Sequence, residues 1–256
     1  MFYFSKPAGG LHVGASLLKP PFVQKLAIGL PVKTLFVSDI HIRKNTWQTA
    51  ENVFSAMKTL APELILLGGD YAEYDEGFLR FFEAISEIRP KYGIFAVEGN
   101  NDYTRFKQDH DRVKREMEKA GVRLLRDECA SVCTQMGVLE ILGARCAYFE
   151  ETHPEGLFSE KENVYRILLA HEPLKSTLSQ TGGKADLMLS GHTHGGQINV
   201  LGFTCYELLQ YEPTLHYTHI AGLKKVGDTR VLVSRGIGTS KFAIRFGARP
   251  EIHLIT

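Results

Sequence analysis

A chain of 256 residues with a formal net charge of +1 is long enough to bury a self-sufficient core and too evenly charged to favour nucleic acid as a partner. Its 44% hydrophobic and 23% charged residues are those of a globular protein rather than a disordered one. No apolar run reaches the roughly 18 residues that span a bilayer, and Pro7, Pro20, Pro21 and Pro31 break up the start, so neither a transmembrane helix nor a secretory leader is expected.

Residues 1–32 read as an N-terminal arm and 33–256 as one domain. The apolar pieces of the arm (Phe2, Tyr3, Phe4, Leu17, Leu18, Phe22, Val23) would rest on the domain or, peripherally, on a membrane surface. The run "KTLFVSD" (33–39) is nearly all apolar, the pattern of a strand covered on both faces. Next, "NTWQTAENVFSAMKTLA" (45–61) puts Trp47, Ala50, Val53, Phe54, Met57 and Leu60 on one helical face. "ELILLGGD" (63–70) is a second strand, and "EGFLRFFEAISEIRP" (76–90) a helix with Phe78, Leu79, Phe82, Ile85 and Ile88 inward. "YGIFAVEGN" (92–100) is a third strand. "YTRFKQDHDRVKREMEKAG" (103–121) reads as one more polar helix that stops at Gly121. This β-α alternation predicts a layered α/β domain.

The texture then changes. Residues 121–145 hold three short strands joined by tight turns, and 216–236 read the same way, as antiparallel additions or a second sheet. Between them, "VYRILLAH" (164–171) and "ADLMLSGH" (185–192) are again apolar strands. Cys129, Cys133, Cys146 and Cys205 form no C-x2-C pair and sit in or beside apolar runs. They read as buried free thiols of a reducing compartment, so a cytoplasmic protein is expected, with the inner membrane as a peripheral contact.

Five of these strands end in the same few polar residues: Asp39 and His41, Asp70, Asn100 with Asn101 and Asp102, His171, and His192 with His194. Ligands of open α/β sheets bind at the carboxyl ends of strands. In extended backbone, residues two apart point the same way, so Asp39 with His41, and His192 with His194, are expected to reach one ion together. The neighbouring Gly68, Gly69, Gly99 and Gly191 are expected to let an ion or phosphate approach. Asp39, Asp70, Asn100, His41, His171, His192 and His194 are too many donors for one tetrahedral zinc and suit two ions about 3.5–4 Å apart. With no thiolate in the set, Mn, Fe, Zn, Co or Ni fits better than a soft ion. Two divalent ions against two aspartates and a hydroxide leave about one positive charge, which attracts phosphate, and hydroxide is available where bound water has a pKa near 7.

The order D-x-H, GD, GN-x-D, H, GH-x-H resembles the calcineurin-like metallophosphoesterases over roughly residues 33–256. The strings "LILLGGD", "GHTHGGQ" and "VSRGIGTSKFAIRFGARPEI" are most similar to the bacterial subfamily that includes the UDP-2,3-diacylglucosamine pyrophosphohydrolases. The resemblance implies an α/β fold, a four-layer αββα sandwich of two mixed sheets with the metals at the sheet edge. It also implies one metal, Mn first among the candidates, on Asp39, His41, Asp70 and His194, and a second on Asp70, Asn100, His171 and His192.

One position departs from that family. A histidine ordinarily follows Gly-Asn, and here Asn101 stands in its place, with Asp102 after it. Asn101 and Asp102 are the candidate catalytic pair, with Asp102 expected to hold Asn101. An amide donates a hydrogen bond but transfers no proton, and a lost general acid forfeits about 10²–10⁴ in rate, least for a good leaving group. Aryl esters, phosphodiesters and pyrophosphates are therefore expected to outrun alkyl phosphates, with His110 or His153 as alternative acids. The readings that follow are a small-molecule phosphoesterase, a pyrophosphohydrolase of nucleotide-linked lipid intermediates, or a phosphate-binding scaffold. Arg43 and Lys44 read as a solvated helix start, or as substrate contacts. Tyr103 reads as a packing or pocket-edge residue. Arg235, Lys241 and Arg245 lie near the site or the core by resemblance only, and His216, His219 and His253 read as ordinary strand histidines.

Overall fold

Leu35 and Val37 face one side of their strand and Phe36 the other, and both sides are buried. That alternation recurs across two sheets and builds the fold. A computed structural model describes residues 11–13, 19–106, 109–147, 151–200, 203–204, 216–240 and 243–256. In chain order the elements are β1 (Leu11–Val13), β2 (Phe22–Leu26), β3 (Thr34–Val37), α1 (Trp47–Leu60), β4 (Leu64–Leu67), α2 (Asp75–Ile85), β5 (Ile94–Ala96), α3 (Asn100–Arg105), α4 (His110–Lys119) and β6 (Val122–Leu124). There follow β7 (Glu128–Thr134), β8 (Gly137–Gly143), β9 (Val164–Leu169), α5 (Lys175–Ser179), β10 (Leu187–Ser190), a 3-10 turn (His194–Gly196), β11 (Asn199–Val200), β12 (Phe203–Thr204), β13 (Gly222–Val226), β14 (Thr229–Val233), β15 (Ile244–Phe246) and β16 (Glu251–Ile255).

One sheet has the order β2-β16-β3-β4-β5-β6 and the other β13-β14-β10-β9-β8-β7. Both are mixed. β3 to β6 run parallel, while β16 is antiparallel to β3 and parallel to β2. β8, β9, β10 and β14 run parallel, with β7 and β13 antiparallel at the edges. Between the sheets, Phe36, Leu64, Leu66 and Val97 meet Leu139, Ile141, Ile167, Leu169, Leu187 and Leu189. On the far face of the first sheet, Leu35, Val37, Ile65 and Leu67 pack under Val53 and Met57 of α1, Phe78, Phe81 and Phe82 of α2, and Val113 and Met117 of α4. On the far face of the second, Leu142, Leu168, Met188 and Val231 are covered by Leu178 of α5 and by Phe158 from a loop. The four layers are therefore those of an αββα sandwich, the second helical layer being one short helix among the described residues.

Three expectations change. The stretch assigned to the arm enters the sheet at Phe22, where β2 pairs with β16 from Phe22↔Glu251 to Leu26↔Ile255. Phe2, Tyr3, Phe4, Leu17 and Leu18 lie outside the described residues. The single helix expected over 103–121 is two: α3 begins at Asn100, and α4 restarts after Asp109, whose carboxylate accepts from Arg112 N at 3.0 Å as an N-cap. Of the cysteines, Cys146 is buried, Cys129 half-buried and Cys133 exposed; Cys133 lies on β7, an edge strand with one face outward, and Cys205 lies outside the described residues. No described helix is long and apolar enough to cross a membrane.

His253 is fully buried on β16, stacked on Phe36 and 3.0 Å from Ser234 Oγ through Nε2. Burial pushes its pKa down to about 4 from an ordinary 6.5. Between those values the unfolded chain binds the proton and the folded chain does not, so stability falls as the pH drops through this window. The contribution lost at pH 5 is about 2 kcal/mol. Urea denaturation at pH 7.5 and pH 5 should show His253→Gln losing less stability on acidification than the parent, by about that amount.

Candidate metal centre

The seven candidate donors sit just past the carboxyl ends of β3, β4, β5, β9 and β10, three strands of one sheet and two of the other. Their backbone is not extended. Asp39, His41, Asp70, His192 and His194 have φ of 52°, 45°, 56°, 68° and 52°. Left-handed turns, rather than the pleat of a strand, aim these side chains, which corrects the expectation from alternation. Such conformations cost on the order of 1–3 kcal/mol each outside glycine and persist where the surroundings over-determine them. Here the β3 and β4 loops are bonded side by side: Asp39 N donates to Gly69 O at 3.0 Å, His41 N to Asp70 O at 3.0 Å and Ile42 N to Tyr71 O at 2.9 Å. Tyr71, buried among Phe78, Phe81 and Phe82, donates from its hydroxyl to Val97 O at 2.6 Å and anchors the Asp70 loop in the core.

Gly99 and Gly191 leave room for two of the candidate donor carboxylates. A Cβ at Gly99 would lie 2.1 Å from Asp70 Oδ1, and one at Gly191 2.1 Å from Asp39 Oδ2.

The donors form two groups joined at Asp70. In the first, His41 Nε2 lies 3.9 Å from Asp39 Oδ1 and 3.3 Å from Asp70 Oδ2, and His194 Nε2 lies 3.6 Å from Asp39 Oδ1 and 3.1 Å from His41 Nε2. In the second, His171 Nε2 lies 3.6 Å from Asp70 Oδ2 and 3.2 Å from Asn100 Oδ1; His192 Nδ1 is 2.9 Å from that oxygen and 3.2 Å from His171 Nε2. Asp39, His41 and His194, and Asp39, Asp70 and His171, are triples whose ligand atoms all lie within 4.8 Å of one another. Asp39, His41, Asp70, His171 and His194 are buried, whereas Asn100, Asn101 and His192 are half-buried and form the open side.

The chemistry of this set fits a divalent cation. His171 Nδ1 donates to Gly68 O at 2.7 Å, so its Nε2 turns a lone pair toward the carboxylate and amide oxygens. Burial alone would raise Asp70, but His171 and His41 hold its carboxyl well below the usual range. Burial likewise pulls His41 down, yet Asp70 and Glu73 hold it up to about 10, and the carboxylates that favour a proton there favour a metal cation in its place. Burial, with His41 and Arg245, keeps His194 well below its ordinary value, and burial with His171 lowers His192.

Asn101 and Asp102 each have partners other than one another. Asp102 does not hold Asn101: its oxygens accept from Asp70 N at 2.7 Å, Gly99 N at 3.0 Å and Tyr71 N at 3.1 Å, tying the β4 loop to the β5 loop. Burial and the neighbouring Asp70 push its carboxyl up to about 7, against the pull of those three N–H groups. Asn101 instead donates to Asp70, from N to Oδ1 at 2.9 Å and from Nδ2 to Oδ2 at 2.8 Å.

Two further residues contact the donors: Glu73, which the sequence reading did not single out, and Arg245, which it placed near the site or the core by resemblance only. Glu73 Oε1 is 2.5 Å from His41 Nδ1, and the fully buried Arg245 places Nη2 2.9 Å from His194 Nδ1 while donating to Arg235 O and Gly238 O. Glu73 follows Asp70 by three residues, its one linear signal; for Arg245 the signal was the resemblance of the string that contains it. Arg43 is neither a solvated helix start nor turned to substrate, since its Nη2 donates to Thr239 O and Ser240 O at 3.0 and 3.1 Å. Lys44, His153 and His216 are exposed, and Tyr103 is half-buried. Arg235 pairs with Glu251 at 2.8 Å, and His219 bonds Gly222 O at 2.9 Å. Lys241 and the side chain of His110 lie outside the described residues.

A family model, calcineurin-like phosphoesterase, matches residues 32–196. The chain belongs to the calcineurin-like phosphoesterase family. It is 30% identical over 231 residues to the uncharacterized metallophosphoesterase YkoQ of Bacillus subtilis, covering 88% of this chain and 84% of that protein. It is 27% identical over 230 residues to the phosphodiesterase YaeI of Escherichia coli, covering 88% and 82%. The solved structure of phosphopantetheinyl hydrolase from Mycobacterium tuberculosis aligns at 12% identity with a TM-score of 0.49, over 86% of this chain and 96% of that one. As a member of this family the chain is a metal-dependent phosphoesterase, and the buried carboxylates and imidazoles at the sheet edge are its candidate metal-binding residues.

Asp102→Ala would leave three backbone N–H groups without their acceptor inside the protein. It should cost about 3 kcal/mol or more in urea denaturation, whereas a surface carboxylate such as Asp228 replaced by Ala should stay within about 0.5 kcal/mol.

Proposed function

We propose that this phosphoesterase hydrolyses phosphodiesters, activated aryl esters and phosphoanhydrides with two divalent ions, manganese first among them. One ion would be held by Asp39, His41, Asp70 and His194, the other by Asp70, Asn100, His171 and His192. The observation that carries this reading is Asp70 Oδ2, which faces an imidazole of each group, His41 at 3.3 Å and His171 at 3.6 Å. When bound, such ions supply an activated water and offset the charge of the phosphoryl oxygens.

The chain's own residues then limit the substrate. Asn101 is committed to Asp70 through two hydrogen bonds, so it orients the shared carboxylate and carries no proton to give a leaving group. Substrates whose leaving group departs unprotonated are favoured on that account. Substrate reaches the centre over the half-buried Asn100, Asn101 and His192, since the other donors are closed in. The likeness to a phosphodiesterase of Escherichia coli supports the diester reading.

A second reading, cleavage of the pyrophosphate of UDP-2,3-diacylglucosamine with peripheral membrane contact, draws on one observation. Ile198, Val200, Phe203 and Ile244 are exposed apolar residues beside the turn that carries His194.

Purified protein with Mn should hydrolyse bis(p-nitrophenyl) phosphate and p-nitrophenyl phosphate at least about 10²-fold faster than an alkyl phosphate, and Asn101→His should narrow that gap. Absence of turnover on every ester with every divalent metal contradicts the proposal. Detergent-dependent turnover of UDP-2,3-diacylglucosamine would select the second reading.

A further inference from the structure

Glu73 lies in the β4–α2 loop, opposite His41, because the two loops are joined along their length. After the bonds from Asp39, His41 and Ile42 already described, Glu73 N donates back to Ile42 O at 2.8 Å, and Ile42 and Ala72 form an isolated parallel bridge. Glu73 Oε1 thereby reaches His41 Nδ1 at 2.5 Å. A carboxylate only accepts, so His41 carries a hydrogen on Nδ1, and a metal that takes the place of the other proton would meet the Nε2 lone pair on the side of Asp39, Asp70 and His194.

The outer partners of the ligand imidazoles differ in charge. His41 is backed by the Glu73 carboxylate, His171 by the carbonyl of Gly68, and His194 by the Arg245 guanidinium. A carboxylate behind an imidazole raises its strength as a ligand. The Arg245 guanidinium only donates, so it gives His194 Nδ1 no acceptor of the kind that Glu73 gives His41.

We infer that Glu73 is the positioning residue of the first metal group, making His41 its strong imidazole donor. This rests on the two-ion reading above. Removing Glu73 therefore weakens one ion selectively. Loss of an outer partner of this kind lowers metal affinity 10–100-fold.

The test uses the full chain, stripped with chelator and titrated with Co(II). Bound metal is counted by equilibrium dialysis, the visible spectrum is recorded, and the melting temperature of each protein is measured. Glu73→Leu should bind one ion about 10–100-fold more weakly and the other as the parent does, with an altered Co(II) spectrum for the weaker site. Glu73→Gln, whose amide oxygen still accepts from Nδ1, should recover part of the lost affinity. Parental affinity for both ions in Glu73→Leu overturns the inference. So does equal weakening of both ions together with a lowered melting temperature, which marks a structural role only. A parent that binds fewer than two ions overturns the two-ion reading itself and this inference with it.

Discussion

The carboxylate of Asp70 is the constraint on which the rest of the centre turns. It is buried, follows a left-handed turn, and faces imidazoles delivered by both sheets. Every feature around it keeps it charged and aimed. Asp102 grips its backbone from below, Asn101 grips its side chain, and Gly99 leaves room for its Oδ1. Taking such a charge out of water is expensive unless opposite charge and hydrogen bonds meet it. The sandwich is the scaffold that brings those partners from distant parts of the chain to one edge.

Much of this could be read in the linear sequence, because the information is local. Five apolar runs each ended in Asp, His or Asn, and parallel strands place such ends on one edge, so Asp39, His41, Asp70, Asn100, His171, His192 and His194 could be named as candidate donors from the sequence, and the fold brings them together. The helices of 45–61 and 76–90 announced themselves by apolar spacing.

What escaped depends on contacts between segments. The pleat argument for Asp39 with His41 failed because the strand stops at Val37 and left-handed turns take over. The break before α4 was hidden by an unbroken polar pattern and set by one cap, Asp109. The pairing of β2 with β16 joins residues more than two hundred positions apart, which periodicity cannot report. The contacts of Glu73 and Arg245 were not legible for the same reason: each meets the outer nitrogen of a histidine that the fold, not the spacing, brings near. Asn101 shows the converse. Its identity was legible, but its partner was not: Asn101 supports the carboxylate of Asp70.

The most direct measurement is the anomalous diffraction of crystals grown with manganese. The account predicts two peaks per chain, one on either side of Asp70, the first also bounded by Asp39, His41 and His194 and the second by Asn100, His171 and His192. A single peak, or peaks away from Asp70, would contradict it.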